Sequence, residues 1–167
     1  MLQLQKWARF KRVRLNKLII KQLISINLEL LAIEEDGYHI FTQALINGKP
    51  ARLLVDTGAS RTVFDADRIR NFLNEEDQQP EKIDKLSTGL GTNTMESHSL
   101  VLTEFSLGET TFVDYQAVAL NMEHVNQSYR MLGFPEIDGV LGGDLLHELK
   151  ALIDYRKKEV RWRDENH

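Results

Sequence analysis

Cysteine is absent from this sequence of 167 residues, and so is any long apolar run near its N-terminus. Without cysteine the chain cannot form a disulfide framework, a cysteine-ligated metal site or a thiol nucleophile. The longest uncharged stretch near the N-terminus, residues 22–28, is too short to span a bilayer or to act as the apolar part of a secretory signal. We therefore expect a cytoplasmic protein.

Acidic residues are missing from the first 21 positions, which carry seven lysines and arginines. The rest of the chain holds 14 basic and 25 acidic residues. Because phosphate binding needs a basic face, we do not expect this acidic body to bind nucleic acid. The spacing of apolar residues in the basic segment would also suit an amphipathic surface helix, but we interpret residues 1–24 as a disordered or helical extension without membrane or nucleic-acid contact.

Alternation of apolar and polar residues, the pattern of β-strands, dominates the chain after Gly37. Asn47-Gly48 is typical of a two-residue hairpin turn between two such strands. The length and the 42% hydrophobic content suit one domain with one core. Because strands dominate without βαβ alternation, we expect a mainly β protein, a closed barrel or folded sheet. Short helices are predicted at 65–73, 122–132 and 145–149.

Asp56 directly follows the apolar run 53–55. A carboxylate at the end of a core strand is costly unless donors surround it or it shares a proton. A glycine two residues later lets the backbone turn back towards the acid, and nearby hydroxyls can donate to it. The alternative is an ordinary turn after a strand, where the same residue types are common. The candidate loop residues that follow Asp56 are Thr57, Gly58, Ala59 and Ser60.

A second element, Val140-Leu141-Gly142, argues against the ordinary turn. Together with Asp56-Thr57-Gly58 it makes residues 26–162 resemble the retropepsin-like aspartic proteases, in the group found in bacteria. In that family the triplet supplies the catalytic aspartate, and the hydrophobic-hydrophobic-glycine element passes beneath it. The resemblance implies a single pepsin-type lobe at 25–163, followed by a short tail at 164–167.

The chain contains only one Asp-Thr-Gly triplet. The resemblance therefore implies a homodimer, in which a two-fold axis brings Asp56 of each copy together. Two adjacent carboxylates share one proton, so one acts as base on a water and the other as acid on the peptide carbonyl. The expected partners are a second copy and a polypeptide substrate, and neither a metal nor an organic cofactor is expected.

The resemblance assigns two further roles. Thr57 would bond across the dimer, and a flap over the substrate would include Gly89, Leu90, Gly91 and Thr92, although an ordinary glycine-bearing loop is the alternative. The helix at 122–132 would be an insertion.

The chain departs from many retropepsins at two charged positions. Arg61 and Asp144 stand where the family carries charges of the opposite sign. We hypothesise that they form an ion pair that braces the active-site loop. The alternative is two solvated surface charges.

A different class of function also fits the sequence, namely a retropepsin-like dimerisation or peptide-binding module that does not cut. The intact triplet at Asp56 favours the enzyme, because a binding module has no need for a costly acid pair. The five histidines lack metal-ligand spacing, and Ser60 has no evident His-Asp partnership. An aspartic endopeptidase is therefore the leading prediction.

Overall fold

A computed structural model describes residues 11–12, 22–33, 37–75, 77, 79–83 and 97–163. Strands make up most of this part of the chain. In chain order they are β1 (Lys11–Arg12), β2 (Leu23–Asn27), β3 (Glu29–Ile33), β4 (Gly37–Ile46), β5 (Lys49–Val55), β6 (Val63–Asp65), β7 (Glu81–Ile83), β8 (Ser97–Leu107), β9 (Thr110–Leu120), β10 (Gly139–Leu141), β11 (Leu152–Asp154) and β12 (Glu159–Arg163). The helices are α1 (Glu123–Met131), α2 (Gly143–Glu148) and a 3₁₀ helix at Arg68–Asn71.

Six of the strands close into a barrel. Their order is β9-β6-β10-β5-β4-β8, and the pairing of β8 with β9 completes the ring. β1, β3 and β7 extend this sheet by pairing with β9, β4 and β8. β11, β12 and β2 form a separate three-stranded sheet. The predicted mainly β, closed-barrel architecture is confirmed.

The first barrel hairpin follows directly from the residue pattern. Ile40, Thr42, Ala44 and Ile46 are buried on one face of β4, two residues apart as a strand requires. Asn47-Gly48 then turns the chain with φ angles of 51° and 76°. Positive φ at both central residues matches the twist of the flanking strands, which is why Asn-Gly is favoured here. The predicted turn is confirmed.

Aromatic side chains fill the barrel interior. Phe105 lies between Tyr115, at a ring-centroid distance of 4.9 Å, and Phe64, at 5.5 Å. All three are fully or almost fully buried. Each such side chain contributes roughly 1.5–3 kcal/mol through removal of apolar surface from water, so this cluster holds the strands that carry the site.

Helix α1 packs on the outside of the barrel. Its Tyr129 joins Phe41 of β4 and Val140 of β10 in a second apolar cluster. The Asn126 side chain accepts a hydrogen bond from the Ile137 N–H at 2.8 Å and donates to the Ile137 carbonyl at 3.1 Å. The helix is therefore fixed to the segment that enters β10.

Two helix predictions agree with the structure and one does not. The predictions at 122–132 and 145–149 correspond to α1 and α2. The predicted helix at 65–73 is wrong in type, because a strand ends at Asp65 and only a four-residue 3₁₀ helix follows. Asp65 is buried, and its Oδ1 accepts the N–H groups of Asp67 and Arg68, which closes a tight turn instead of an α-helix.

The N-terminal segment contributes more strand than the sequence indicated. Lys11 and Arg12 pair with Val113 and Phe112 of β9, while the other residues of 1–21 lie outside the described part. The predicted boundary between residues 24 and 25 falls inside β2, which pairs with β12. In the described ranges, no helix is both long and apolar enough to cross a membrane.

Candidate active site

Asp56 stands at the point where β5 leaves the barrel core. The strand before it buries Leu53 and Val55 completely or nearly so, whereas Asp56 is exposed. The Asp56 N–H donates to the Leu141 carbonyl at 3.1 Å, and its Oδ1 accepts the Gly58 N–H at 2.8 Å. Among the described residues Oδ2 has no hydrogen-bond donor. The loop therefore orients the carboxylate and leaves one oxygen available.

Strand β10 passes directly beneath this loop. It runs parallel to β5 and antiparallel to β6, so that Val140 lies opposite both Leu54 and Val63. At either end of β10 the backbones come too close for a side chain. A Cβ on Gly139 would lie 2.5 Å from the Val63 carbonyl oxygen, and one on Gly142 would lie 2.3 Å from the Arg61 carbonyl carbon. Glycine is required at both positions by space.

Backbone hydrogen bonds join the Asp56 loop to the start of α2. The Ala59 N–H donates to the Asp56 carbonyl at 3.2 Å, which closes the turn. The Gly143 N–H donates to the Ala59 carbonyl at 2.7 Å. The Gly142 N–H donates to the hydroxyl of Thr62 at 3.0 Å. The loop that carries the predicted triplet and the segment that begins at the predicted Gly142 thus hold each other in place.

The proposed ion pair between Arg61 and Asp144 is replaced by a different contact. Asp144 Oδ1 accepts the Thr62 N–H at 2.7 Å, the Thr62 hydroxyl at 2.8 Å and the Leu145 N–H at 2.8 Å. Within the described ranges of this single chain, no ion pair joins Arg61 to Asp144. Backbone N–H groups one residue from each partner bond to Oδ1, together with the Thr62 hydroxyl, so Thr62 braces the loop where we expected Arg61 to do so.

Tyr115 supports this brace from the barrel interior. Burial raises the pKa of its hydroxyl well above the usual value, and the negative charges of Asp144 and Glu148 act in the same direction. A hydrogen bond to Thr62 and the charge of Arg61 oppose the shift without cancelling it. The phenol therefore stays neutral beneath the loop.

A groove of about 330 Å³ opens beside Asp56. Its walls are residues 38–40 of β4, residues 54–57 and the side chains of Ile153 and Tyr155. The side chains of Tyr38 and Tyr155 in these walls are each about three-fifths exposed. The carboxylate therefore borders an open groove with two exposed aromatic side chains in its walls.

The remaining predicted site residues differ in what the structure says of them. Thr57 lines the groove and, like Ser60, is exposed, and neither hydroxyl has a hydrogen-bond partner in the described part of the chain. The predicted flap residues 89–92 fall between β7 and β8, in a segment that lies outside the described residues.

Sequence reasoning assigned no role to Asp138, which immediately precedes β10. Its buried carboxylate accepts Nε of Arg68 at 2.7 Å and the Arg52 N–H at 2.8 Å. Its backbone N–H and carbonyl bond to Arg52 and Asp65, each at 2.8 Å. Asp138 therefore ties β10 to both neighbouring strands. The only signal in the sequence was its position beside Gly139.

A closed barrel with one exposed aspartate on a tightly supported loop defines a single aspartic-protease-type lobe. The family model described as "Aspartyl protease" matches residues 42–145, which is more than half of the chain. The chain therefore belongs to the aspartyl protease family, and its fold is retropepsin-like. No curated protein sequence matches it significantly.

Two solved structures are similar to this chain. One is a retropepsin-like aspartic protease from Rickettsia conorii, with 19% identity, a TM-score of 0.49 and coverage of 96% of this chain and 97% of the other. The second is the retroviral protease-like domain of Ddi1 from Leishmania major, with 13% identity, a TM-score of 0.42 and coverage of 75% and 88%.

Proposed function

We propose that this protein is an aspartic endopeptidase that becomes active as a homodimer. The observation that carries the proposal is the state of Asp56, which is exposed, oriented by the Gly58 N–H and free at Oδ2 within the described chain. The sequence contains no second Asp-Thr-Gly triplet, so one chain supplies one such carboxylate. An isologous dimer would supply the other.

The mechanism uses the Asp56 carboxylates of both copies. Close together, they cannot both ionise, so they share one proton. The ionised member takes a proton from a water that attacks the peptide carbonyl carbon, while the protonated member donates to the carbonyl oxygen. When the tetrahedral intermediate breaks down, the first carboxyl gives its proton to the leaving amine and the second takes a proton back from a hydroxyl of the intermediate, so that the pair again holds one proton. Thr57 would join the two loops across the dimer, and residues 89–92 would close over the substrate.

Cleavage of a mixed peptide library between pH 4 and pH 7 tests the enzyme assignment. We expect Asp56→Asn to lower the rate by about 10²- to 10⁴-fold, the usual contribution of general acid–base catalysis. Asp67→Asn is the matched control, because Asp67 is exposed and lies outside the groove. Full activity in Asp56→Asn would remove Asp56 from the mechanism. Peptide binding by wild type without cleavage would instead favour the non-cutting module.

Mixing wild type with Asp56→Asn tests the dimer. After subunit exchange in equal amounts, random pairing leaves about one quarter of the dimers with two aspartates. We therefore expect about one quarter of the activity of the same total amount of wild type, checked alongside the mass in solution. One half of the activity, or a monomer mass at working concentration, would contradict the dimer.

Location in the cytoplasm stays a prediction from the cysteine-free sequence.

A further inference from the structure

His39 of β4 lines the groove beside Asp56, and its ring is held by aromatic neighbours. Its Nδ1 lies 2.7 Å from the Tyr129 hydroxyl. The Tyr129 ring meets it edge-on, with centroids 5.7 Å apart and an interplanar angle of 83°, and the Phe41 ring lies at 6.4 Å. A surface histidine is normally free to turn, whereas these contacts select one orientation.

The contact with Tyr129 also bears on which ring nitrogen of His39 carries the hydrogen. Tyr129 is 3% exposed, and burial raises the pKa of its hydroxyl although the charge of Arg52 opposes the shift. The hydroxyl therefore keeps its proton, and His39 is its hydrogen-bond partner in the described chain. When the phenol donates to Nδ1, the neutral imidazole carries its hydrogen on Nε2. In the protonated ring Nε2 carries a hydrogen as well.

With Tyr129 as the donor to Nδ1, Nε2 of His39 carries a hydrogen in both charge states of the ring. Within the described ranges it has no hydrogen-bond partner, and the His39 side chain is exposed. The neighbouring walls of the groove include Tyr38, Ile40 and Tyr155. An oriented donor in such a groove is suited to an acceptor oxygen on a ligand.

Resting on the proposed function, we propose that His39 is a substrate-binding residue whose Nε2–H donates to an acceptor oxygen of the bound polypeptide. Tyr129 is the positioning residue that orients the ring. An extended polypeptide offers two kinds of acceptor, its main-chain carbonyls and the carboxylates of acidic side chains. In the homodimer each copy contributes one such imidazole.

Peptide binding and cleavage of the full chain test this inference separately from the proposed function. Binding of fluorescent peptides is measured by anisotropy in an Asp56→Asn background, and KM and kcat are measured with Asp56 intact. We expect His39→Phe to raise Kd and KM about three- to tenfold, the range of one net hydrogen bond, with kcat within about twofold. His39→Gln restores most of the affinity, because its amide can donate, and Tyr129→Phe gives an intermediate loss.

His124→Phe on α1 is the matched control and leaves Kd unchanged. The kind of acceptor is identified by two peptide series, one with single main-chain carbonyls replaced by methylene and one with acidic residues changed to their amides. Once a peptide lacks the acceptor that His39 binds, His39→Phe causes no further loss of affinity. The series that contains such a peptide identifies the kind of acceptor. Equal affinity of His39→Phe and its parent, or no gain of His39→Gln over His39→Phe, overturns the inference alone. Failure of wild type to cleave and of Asp56→Asn to bind any peptide overturns the proposed function as well.

Discussion

Two acidic residues lie at opposite ends of β10, and the hydrogen bonding of their carboxylates differs. Before the strand, Asp138 is buried, and both of its carboxylate oxygens accept hydrogen bonds, from Arg68 and from the Arg52 N–H. At the other end of β10, the exposed Asp56 in the loop after β5 accepts one hydrogen bond, from the Gly58 N–H. Its Oδ2 has no donor among the described residues. A fully bonded carboxylate stabilises structure, whereas one with a spare oxygen on a groove can take part in chemistry.

The support of the two ends differs as well. At the Asp138 end of β10, Arg68 forms ion pairs with Asp138 and, at 2.8 Å, with Glu136. At the Asp56 end, Gly142 packs against the Arg61 backbone and donates to Thr62. Close backbone contact therefore fixes the Asp56 loop, and charge fixes the opposite end.

Gly142→Ala should give the largest effect, because its Cβ would lie 2.3 Å from the Arg61 carbonyl carbon. Backbone cannot move aside cheaply there, so we expect a loss of more than about 4 kcal/mol in the free energy of unfolding, or failure to fold. Gly143→Ala is the adjacent control, since its Cβ would lie 3.3 Å from the Ala59 oxygen. Urea unfolding measures both, and equal losses would show that close packing does not distinguish Gly142.

Asp138→Ala comes next and tests the comparison of the two acids directly. The substitution leaves the buried Arg52 N–H without its acceptor and Arg68 with Glu136 as its remaining partner, which costs about 2–3 kcal/mol. Asp56→Asn should change the free energy of unfolding by less than about 0.5 kcal/mol, as expected for an exposed residue with one local bond.

Urea unfolding at one fixed protomer concentration compares the two variants, because the stability of a dimer depends on concentration. Asp138→Asn should fall between them, since its amide oxygen can still accept the Arg52 N–H. A larger loss in Asp56→Asn than in Asp138→Ala would reverse the assignment of structural and chemical acids.

Local pattern predicted the parts of the fold that local residues decide. The alternation in β4, the turn at Asn47-Gly48 and the placement of Asp56 after a core strand each depend on neighbours in sequence. The Val140-Leu141-Gly142 element could be linked to Asp56 because the family resemblance supplied the distant pairing. The pairing of the Asp56 loop with this element was therefore within reach of the sequence.

Partners far apart in sequence could not be predicted in the same way. Arg68 meets Asp138 seventy residues later, and His39 meets Tyr129 ninety residues later, because the topology brings their elements together. The expected pairing of Arg61 with Asp144 rested on charge alone. Backbone N–H groups nearer to that carboxylate compete for it, which the charge pattern does not reveal.

Asp77 should give a smaller effect than Asp138 and extends the comparison to a third acid. Burial raises its pKa, but hydrogen bonds from Asn74, Thr103 and Asn47 outweigh that, so the pKa lies below the usual value. A lowered pKa contributes stability that is present above the unfolded value of about 4 and is lost as the pH falls through the folded value.

We therefore expect the wild type to lose stability as the pH falls below about 4, and Asp77→Asn to lose less over the same range because it has no charge to neutralise. At pH 7 the substitution itself should cost about 1–2 kcal/mol, because the buried donors keep a weaker acceptor. Thermal unfolding at pH 7, 5, 4 and 3 checks both statements, with Asp67→Asn as an exposed control. Equal losses of stability in Asp77→Asn and wild type as the pH falls would contradict a stabilising role for the charge of Asp77.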